Sequence, residues 1–290
     1  MAKILVTGAN GQLGKEFQVL ATTAPGHQFL FANRAILDIT QAAAVSRLFK
    51  EQALDYCINC AAYTAVDKAE SEPALAKAIN EDAARNLAEA CAAHAVRLIH
   101  FSSDYVYHNG LSRPLREDDP TEPKGVYAQT KLAGDEAVLS AHDATMVLRT
   151  SWVYSSFGHN FVKTMLRLGK EKDELRVVDD QIGSPTYARS LADACLRLIA
   201  TDQLGGLPRE LWHGVYHYSN EGQCSWHGLA SKALQLASVP CTVRPIPTAG
   251  YPTPARRPPY SVLDKSRFRE AFRFPIPHWE DDLKRMLALL

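Results

Sequence analysis

Tyr127 and Lys131 are the two residues of this chain whose types and spacing bear most directly on chemistry. They stand four apart in a run that reads as helix, slightly more than one turn, so both side chains leave the same face. A free phenol has a pKa of about 10, and a neighbouring ammonium favours the phenolate and lowers that value. Together they make a proton donor for an oxygen that gains negative charge. The same spacing arises on solvated helix faces, so its weight depends on what precedes it. The strand-like run 96–101 ends in Ser102-Ser103-Asp104. There the Ser103 hydroxyl can hold a substrate carbonyl, or either serine can simply cap the next turn.

The elements that must position this pair begin at residues 3–7, a short β-rich run followed by Gly8-Ala9-Asn10-Gly11-Gln12-Leu13-Gly14 and a helix-compatible segment, 15–20. Glycines at 8, 11 and 14 permit a tight turn, close approach of a helix N-terminus to a pyrophosphate, and helix-on-strand packing. A second strand, 27–32, ends at Asn33-Arg34. An acidic residue there suits the ribose hydroxyls of NAD, whereas an arginine pairs with the 2′-phosphate of NADP. Arg34 therefore points to NADP, against the plainer alternative of a solvated arginine. Asp38 or Thr40 is placed to cap a following helix, and Asp38-Ile39 to border an adenine. After the third strand, small Ala61 and Ala62, with Tyr63, let a cofactor lie against the backbone. Helical stretches such as 74–93 separate the strands. This β-α-β-α-β order predicts an α/β fold with a doubly wound parallel sheet, covered on both faces, and ligands at the carboxyl ends of its strands.

The 290 residues are nearly half apolar and carry 32 basic and 32 acidic side chains without a long block of either sign. That balance gives no electrostatic footprint for nucleic acid or anionic lipid, and a small-molecule partner is expected. Met1-Ala2-Lys3 runs directly into an apolar strand, with neither a membrane span nor a leader pattern, so a cytoplasmic location is expected. Cys57 and Cys60 fall in a strand, where residues three apart point to opposite faces, and both read as core cysteines. His213 and His217 lie about 13 Å apart on a strand at about 3.3 Å per residue, which disfavours a metal pair.

These motifs bring a resemblance into view. The chain resembles the extended short-chain dehydrogenase/reductases and, within them, the dTDP-4-dehydrorhamnose reductase family. The matching stretches are Thr7 to Gly14, Asn59 to Glu70, Ser102 to Tyr107, Tyr127 to Lys131, Arg149 to Tyr154, Asn160-Phe161, Asp180 to Thr186 and Tyr251 to Pro258. The glycine pattern and the Tyr/Lys pair mark the superfamily, while Thr64 to Glu70 and Thr150 to Tyr154 are narrower. The resemblance implies NADPH as cofactor, with NADH possible. It implies a nucleotide-sugar substrate, and reduction of the 4-keto group of dTDP-4-dehydro-L-rhamnose as the last step of dTDP-rhamnose synthesis. Tyr127 is then the acid, Lys131 lowers its pKa and holds the nicotinamide ribose, and Ser103 orients the carbonyl. Val66, Asp104 and Trp152 border the sugar, where a flat indole suits a methyl-bearing deoxy sugar, and Arg257 lies near the diphosphate. In some of the family a magnesium ion joins a dimer through glutamates. Glu16 matches one such position, but Ala188-Arg189-Ser190 supplies no acidic partner, and no metal is expected here; the chain is a monomer or a homodimer.

Strict strand-helix alternation ends near residue 152. The expected organisation is therefore a nucleotide domain over 1–152, with return segments near 188–201 and 214–219, and a smaller substrate portion over 153–290. In the latter, 161–171 and 226–237 read as helices, and 245–259 as a proline-dense loop walling the cleft. Two other functions share these features: a sister nucleotide-sugar reductase or epimerase, and a non-catalytic NADP-binding subunit resembling the regulatory β subunit of methionine adenosyltransferase.

Overall fold

Short apolar runs alternate with helix-forming stretches through the first half of the chain, and the backbone follows that alternation. The computed structural model, which describes residues 1–24 and 26–290, starts with β1 (Ala2–Thr7), α1 (Gln12–Ala21), β2 (His27–Ala32), α2 (Ala42–Gln52) and β3 (Tyr56–Asn59). Two short helices, α3 (Val66–Ala69) and α4 (Pro73–Lys77), lead through a π-helical turn at Ala78–Asp82 into α5 (Ala83–Ala93). Next come β4 (Arg97–Ser103), α6 (Val126–Ala141) and β5 (Thr145–Thr150). The second half contains β6 (Val153–Tyr154), α7 (Phe161–Glu171), β7 (Glu174–Val178), β8 (Ile182–Gly183), β9 (Thr186–Tyr187), α8 (Ala188–Gln203) and β10 (Gly214–His217). It closes with β11 (Cys224–Ser225), α9 (Trp226–Leu236), β12 (Thr242–Ile246), α10 (Ser266–Phe272) and α11 (Trp279–Leu287). No helix among the described residues is long and apolar enough to cross a membrane.

The main sheet has the order β2-β1-β3-β4-β5-β10, parallel throughout. Its order reverses between β1 and β3, the place where the loops leaving neighbouring strands diverge and open a crevice. The register aligns the carboxyl ends: Thr7 faces Asn59, Asn59 faces His100, and Ser103 faces Thr150. One face carries Ile4, Val6 and Ile58 against Phe17 of α1 and Leu191, Cys195 and Leu198 of α8. The other carries Leu5, Cys57 and Leu98 against Val45, Phe49 and Leu87. Cys57 belongs to the second cluster and Cys60 packs on the first, so the two sulfurs do point to opposite faces. A separate apolar cluster joins α7, α9 and α11 around Leu166, Leu229 and Leu283.

Three local expectations need correction. The stretch read as one helix over 74–93 contains the π turn, whose extra residue per turn brings Asn80 out toward α6. Asp38 does not cap α2: Gln41 is its N-cap, and Asp38 instead holds a turn by accepting from the backbone N–H and hydroxyl of Thr40 at 3.1 and 2.7 Å. The proline-dense segment begins as strand β12, in which Pro245 and Ile246 pair with Val177 and Val178 of β7. β12 lies at the edge of a two-stranded sheet, where a proline is tolerated.

At the π turn α6 comes very close. A Cβ on Gly134 would lie 2.1 Å from the Asn80 carbonyl oxygen, a backbone atom that cannot swing aside. Gly134→Ala is therefore expected to destabilise the fold by about 1–3 kcal/mol, the usual cost of overpacking. Urea unfolding measures it, and an unchanged midpoint would show that α6 can move off the turn freely.

Candidate active site

The loop after β1 is shaped by missing side chains. Gly8 has φ +61°, and a Cβ there would lie 2.6 Å from the backbone of Cys60 and Ala61; one on Gly14 would lie 2.5 Å from the Gly8 carbonyl. The loop therefore sits tightly on the segment leaving β3, and Gly11 is the N-cap of α1, with no side chain capping its first turn. Those N–H groups and the helix dipole form a cradle that fits a dinucleotide pyrophosphate. Asn10, Gly11, Gln12 and Leu13 all line the cleft beside it. At the far end, Arg34 has an exposed side chain and pairs with Asp38 at 3.3 Å, leaving most of its donor fork open to solvent. Ile39 is buried in the core and does not offer its side chain to a ligand. Ala61 packs toward the same core while Ala62 lines the cleft. Tyr63 turns away: its hydroxyl donates to Glu72 at 2.8 Å and its backbone N–H to Asn80 at 2.8 Å.

Ser103, Asp104, Tyr127 and Lys131 meet in a cleft of about 610 Å3 at the carboxyl ends of β3, β4 and β5, together with Val66 and Trp152. α6 delivers Tyr127 and Lys131, and Asn80 steadies that helix by donating to Thr130 at 3.1 Å. Ser103 both accepts from the Tyr105 backbone N–H at 3.2 Å, capping a 3-10 turn, and donates to Asp104 at 3.1 Å. Its capping and site roles thus coexist. Burial dominates the electrostatics here. It pushes the Tyr127 phenol up to about 12, against the Ser103 hydroxyl that draws it down. It pushes the Lys131 ammonium down to about 8, against Asp135. The lysine's Nζ donates to the Phe101 carbonyl at 2.7 Å. The expected lowering of the tyrosine pKa by Lys131 is thus not what this arrangement shows: the phenol is a well-protonated acid. Burial also lifts Asp104 to about 6, against the Ser261 and Ser103 hydroxyls that draw it down.

Trp152 follows β5 with φ +47°, a conformation disfavoured for a bulky residue. It is held by packing: its indole stacks on Trp226 with centroids 3.6 Å apart and lies against Gly183, where a Cβ would fall 2.6 Å from the ring. Backbone strain of this kind persists only where surroundings over-determine it. Trp226 and Phe161, both absent from the sequence-based set of site residues, line this cleft and an adjoining one of about 750 Å3. Arg257 lies in that second cleft, outside the first, and Asp67 grips it in a two-pronged pair at 2.8 and 3.1 Å. Asp67 also accepts from the Ala255 backbone at 3.1 Å, so α3 anchors the proline-rich loop. The only sequence signal for that role was the acidic residue beside Val66. His217 is bonded to Tyr107 at 2.8 Å and to the Asp264 carbonyl at 3.1 Å.

With this geometry in place, a family model described as RmlD substrate binding domain matches residues 2–290. A dTDP-4-dehydrorhamnose reductase of Streptomyces griseus is 44% identical over 99% of this chain and 93% of its own length. The chain belongs to the dTDP-4-dehydrorhamnose reductase family. Among solved structures, the family member from Bacillus anthracis in complex with NADP superposes with TM-score 0.93 at 37% identity, covering 100% of this chain and 99% of the other. The one from Clostridium acetobutylicum gives 0.92 at 37%, covering 99% of both. The metal seen in parts of this family does not fit here. One oxygen of Glu16 accepts from Ser155 at 2.6 Å and the other from Arg189 at 2.8 Å, so a guanidinium stands where a divalent cation needs a ligand.

Asp67→Asn should loosen the loop around residues 253–257. Loss of a charge-assisted pair worth about 1.5 kcal/mol corresponds to roughly tenfold faster amide exchange in that loop. Hydrogen exchange read by mass spectrometry tests this; unchanged protection means the prolines alone hold the wall.

Proposed function

We propose that this chain reduces the 4-keto group of dTDP-4-dehydro-L-rhamnose to give dTDP-L-rhamnose, with NADPH as reductant. The observation that carries the reading is the convergence of Ser103, Tyr127 and Lys131 beside an uncapped, glycine-lined helix N-terminus in one cleft. Full-length similarity to dTDP-4-dehydrorhamnose reductases supports it. NADPH, when bound, supplies the hydride that reduces C4. The chain's residues do the rest. With substrate bound, the Ser103 hydroxyl turns its one hydrogen from Asp104 to the carbonyl oxygen and fixes its direction. Tyr127, kept protonated by burial, gives its proton to that oxygen as charge develops. Lys131 holds the nicotinamide ribose. Trp152 and Trp226 set a flat apolar wall against the methyl-bearing sugar, and Arg257 serves the diphosphate from the adjoining cleft. The nucleotide-binding part is residues 1–152 with the return segments 188–201 and 214–219, and the remainder of 153–290 supplies the sugar-nucleotide side. A protein that only bound NADP would have no need of a half-buried acid sharing a cleft with an aromatic wall, which ranks the enzyme ahead of a regulatory subunit.

Tyr127→Phe is expected to lower turnover about 10²- to 10⁴-fold, the usual worth of a positioned acid, while NADPH affinity holds. Ser103→Ala should cost less, since one hydrogen bond is partly replaceable. The assay is NADPH oxidation with dTDP-4-dehydro-L-rhamnose; no oxidation by the wild-type protein, or near-normal turnover of Tyr127→Phe, would sink the assignment.

The open donor fork of Arg34 predicts a preference for NADPH over NADH of roughly ten- to a hundredfold, from a charge-assisted hydrogen bond of about 1.5–3 kcal/mol. Dissociation constants for both cofactors, with wild type and Arg34→Ala, decide this. A ratio unchanged by the substitution would mean that Arg34 remains with Asp38.

A further inference from the structure

Gln12, the first residue of α1, lines the cleft at the cofactor cradle, and its amide meets a residue 148 positions further along the chain. Asn160 Nδ2 donates to Gln12 Oε1 at 2.9 Å. The pair joins the two halves of the molecule. Gln12 stands beside Asn10 and Gly11, whereas Asn160 is the N-cap of α7, the helix whose first residue, Phe161, lines both clefts.

Hydrogen-bond chemistry fixes which way round both amides stand. Asn160 Oδ1 accepts from the backbone N–H of Lys163 at 3.0 Å, a group that only donates, and Nδ2 donates to the Ser155 carbonyl at 2.7 Å, a group that only accepts. The Asn160 amide therefore cannot be turned over, and its second hydrogen is committed to Gln12. The Gln12 oxygen must face that hydrogen, so Gln12 Nε2 points away from Asn160. This Nε2 has no hydrogen-bond partner among the described residues, and it is not sealed from solvent. It is a donor of fixed orientation on a residue that lines the cleft.

The segment between β6 and α7 restrains the same side chain further. A Cβ on Gly158 would lie 3.0 Å from Gln12 Cγ, so this loop rests on the stem of Gln12. One turn along α1, on the same face, Glu16 accepts from Ser155 at 2.6 Å, and the Ser155 oxygen in turn accepts from the backbone N–H of Phe157 at 3.0 Å. Loop and helix are thus tied at residues 12 and 16. A helix cap alone does not call for this. Serine, aspartate and asparagine cap comparably well, and Ser225 does so for α9. Of the three, only asparagine adds the N–H that reaches Gln12.

We propose that Asn160 is a positioning residue for the cofactor: it orients the Gln12 amide so that Nε2 donates to a phosphate oxygen of the NADPH pyrophosphate at the N-terminus of α1. Backbone N–H groups and the helix dipole attract the anion, and the amide adds one directed donor whose orientation is set from the other half of the chain. This role rests on the NADPH part of the reading above and does not depend on which sugar is reduced.

The test is a double-mutant cycle on NADPH dissociation constants, read by fluorescence titration. Gln12→Met should weaken NADPH by roughly tenfold, the worth of a hydrogen bond to a charged group, and Asn160→Ser, which keeps the cap, by about three- to tenfold. In the Gln12→Met background Asn160→Ser should add nothing; a full further loss there would mean that Asn160 acts only through the fold, and overturns the proposal. Two fragments isolate the pyrophosphate. Binding of 2′-phospho-ADP-ribose, which carries it, should weaken in step with NADPH, while adenosine 2′-monophosphate, which lacks it, should bind every variant as it binds the wild type. Equal weakening of both fragments is fatal, as is NADPH affinity unmoved by Asn160→Ser. A loss confined to dTDP binding would put the donor on the nucleotide sugar and is equally fatal. Should Asn160→Ser fail to fold, Gln12→Met decides, because Asn160 keeps its cap and its bond to Ser155; unchanged NADPH affinity then ends the proposal. A wild-type protein that binds NADPH but oxidises none of it with the sugar substrate sinks the reductase reading, and the binding cycle still tests Asn160.

Discussion

The cleft depends on one packing decision, that α6 lays a stripe of ionisable side chains against the sheet rather than toward water. Burying a charge costs several kcal/mol unless it is paired, and this interface meets that cost at defined points. Lys131 donates to the Phe101 carbonyl, and Asp135 is paired with Arg149. Gly134 lets the helix approach until its backbone touches the π turn, and Asn80 bridges that turn to Thr130 and Tyr63. Move α6 outward by one methyl group and each of these lengthens together. The positions of Tyr127 and Lys131 are thus set by helix packing.

A second polar line runs across the sheet at the same level. Thr7 donates to Asn59 at 2.7 Å, and Asn59 Nδ2 lies 3.0 Å from His100 Nδ1. This ties the carboxyl ends of β1, β3 and β4 at the point where the strand order reverses. The glycine loop, the small residues after β3 and the serines after β4 therefore keep one relative height. Side-chain bonds between strands reinforce the backbone ladders at their last paired residues.

The sequence disclosed what depends on local spacing. Glycines at 8, 11 and 14, the alternation of strand and helix, and the four-residue step from Tyr127 to Lys131 each have a period or a position that a short window reveals. It did not disclose what depends on meetings between distant segments. Arg257 and Asp67 are 190 residues apart, and the stacking of Trp226 on Trp152 joins two elements with no shared periodicity. The partner of Lys131 is a backbone carbonyl, which any residue at that place supplies. The π turn inside the 74–93 stretch adds a residue without altering composition. Asp38 was misplaced for a subtler reason: Asx turns and helix caps use the same residue types, and it lies only three positions before the true cap at Gln41.

The order in which the main sheet is assembled has a consequence for synthesis. β10, its edge strand beside β5, and α8, which covers α1, come after β6, α7 and β7, elements of the other half. Chains emerge from the ribosome amino end first and fold as units complete themselves. Here Phe17, Ile4 and Ile58 must wait for Leu191 to Ile199 before their face is covered. During translation, then, the first 150 residues form a half-clad sheet, apolar on the side that α8 later seals. The interval between synthesis of β5 and of α8 is when this apolar face is uncovered.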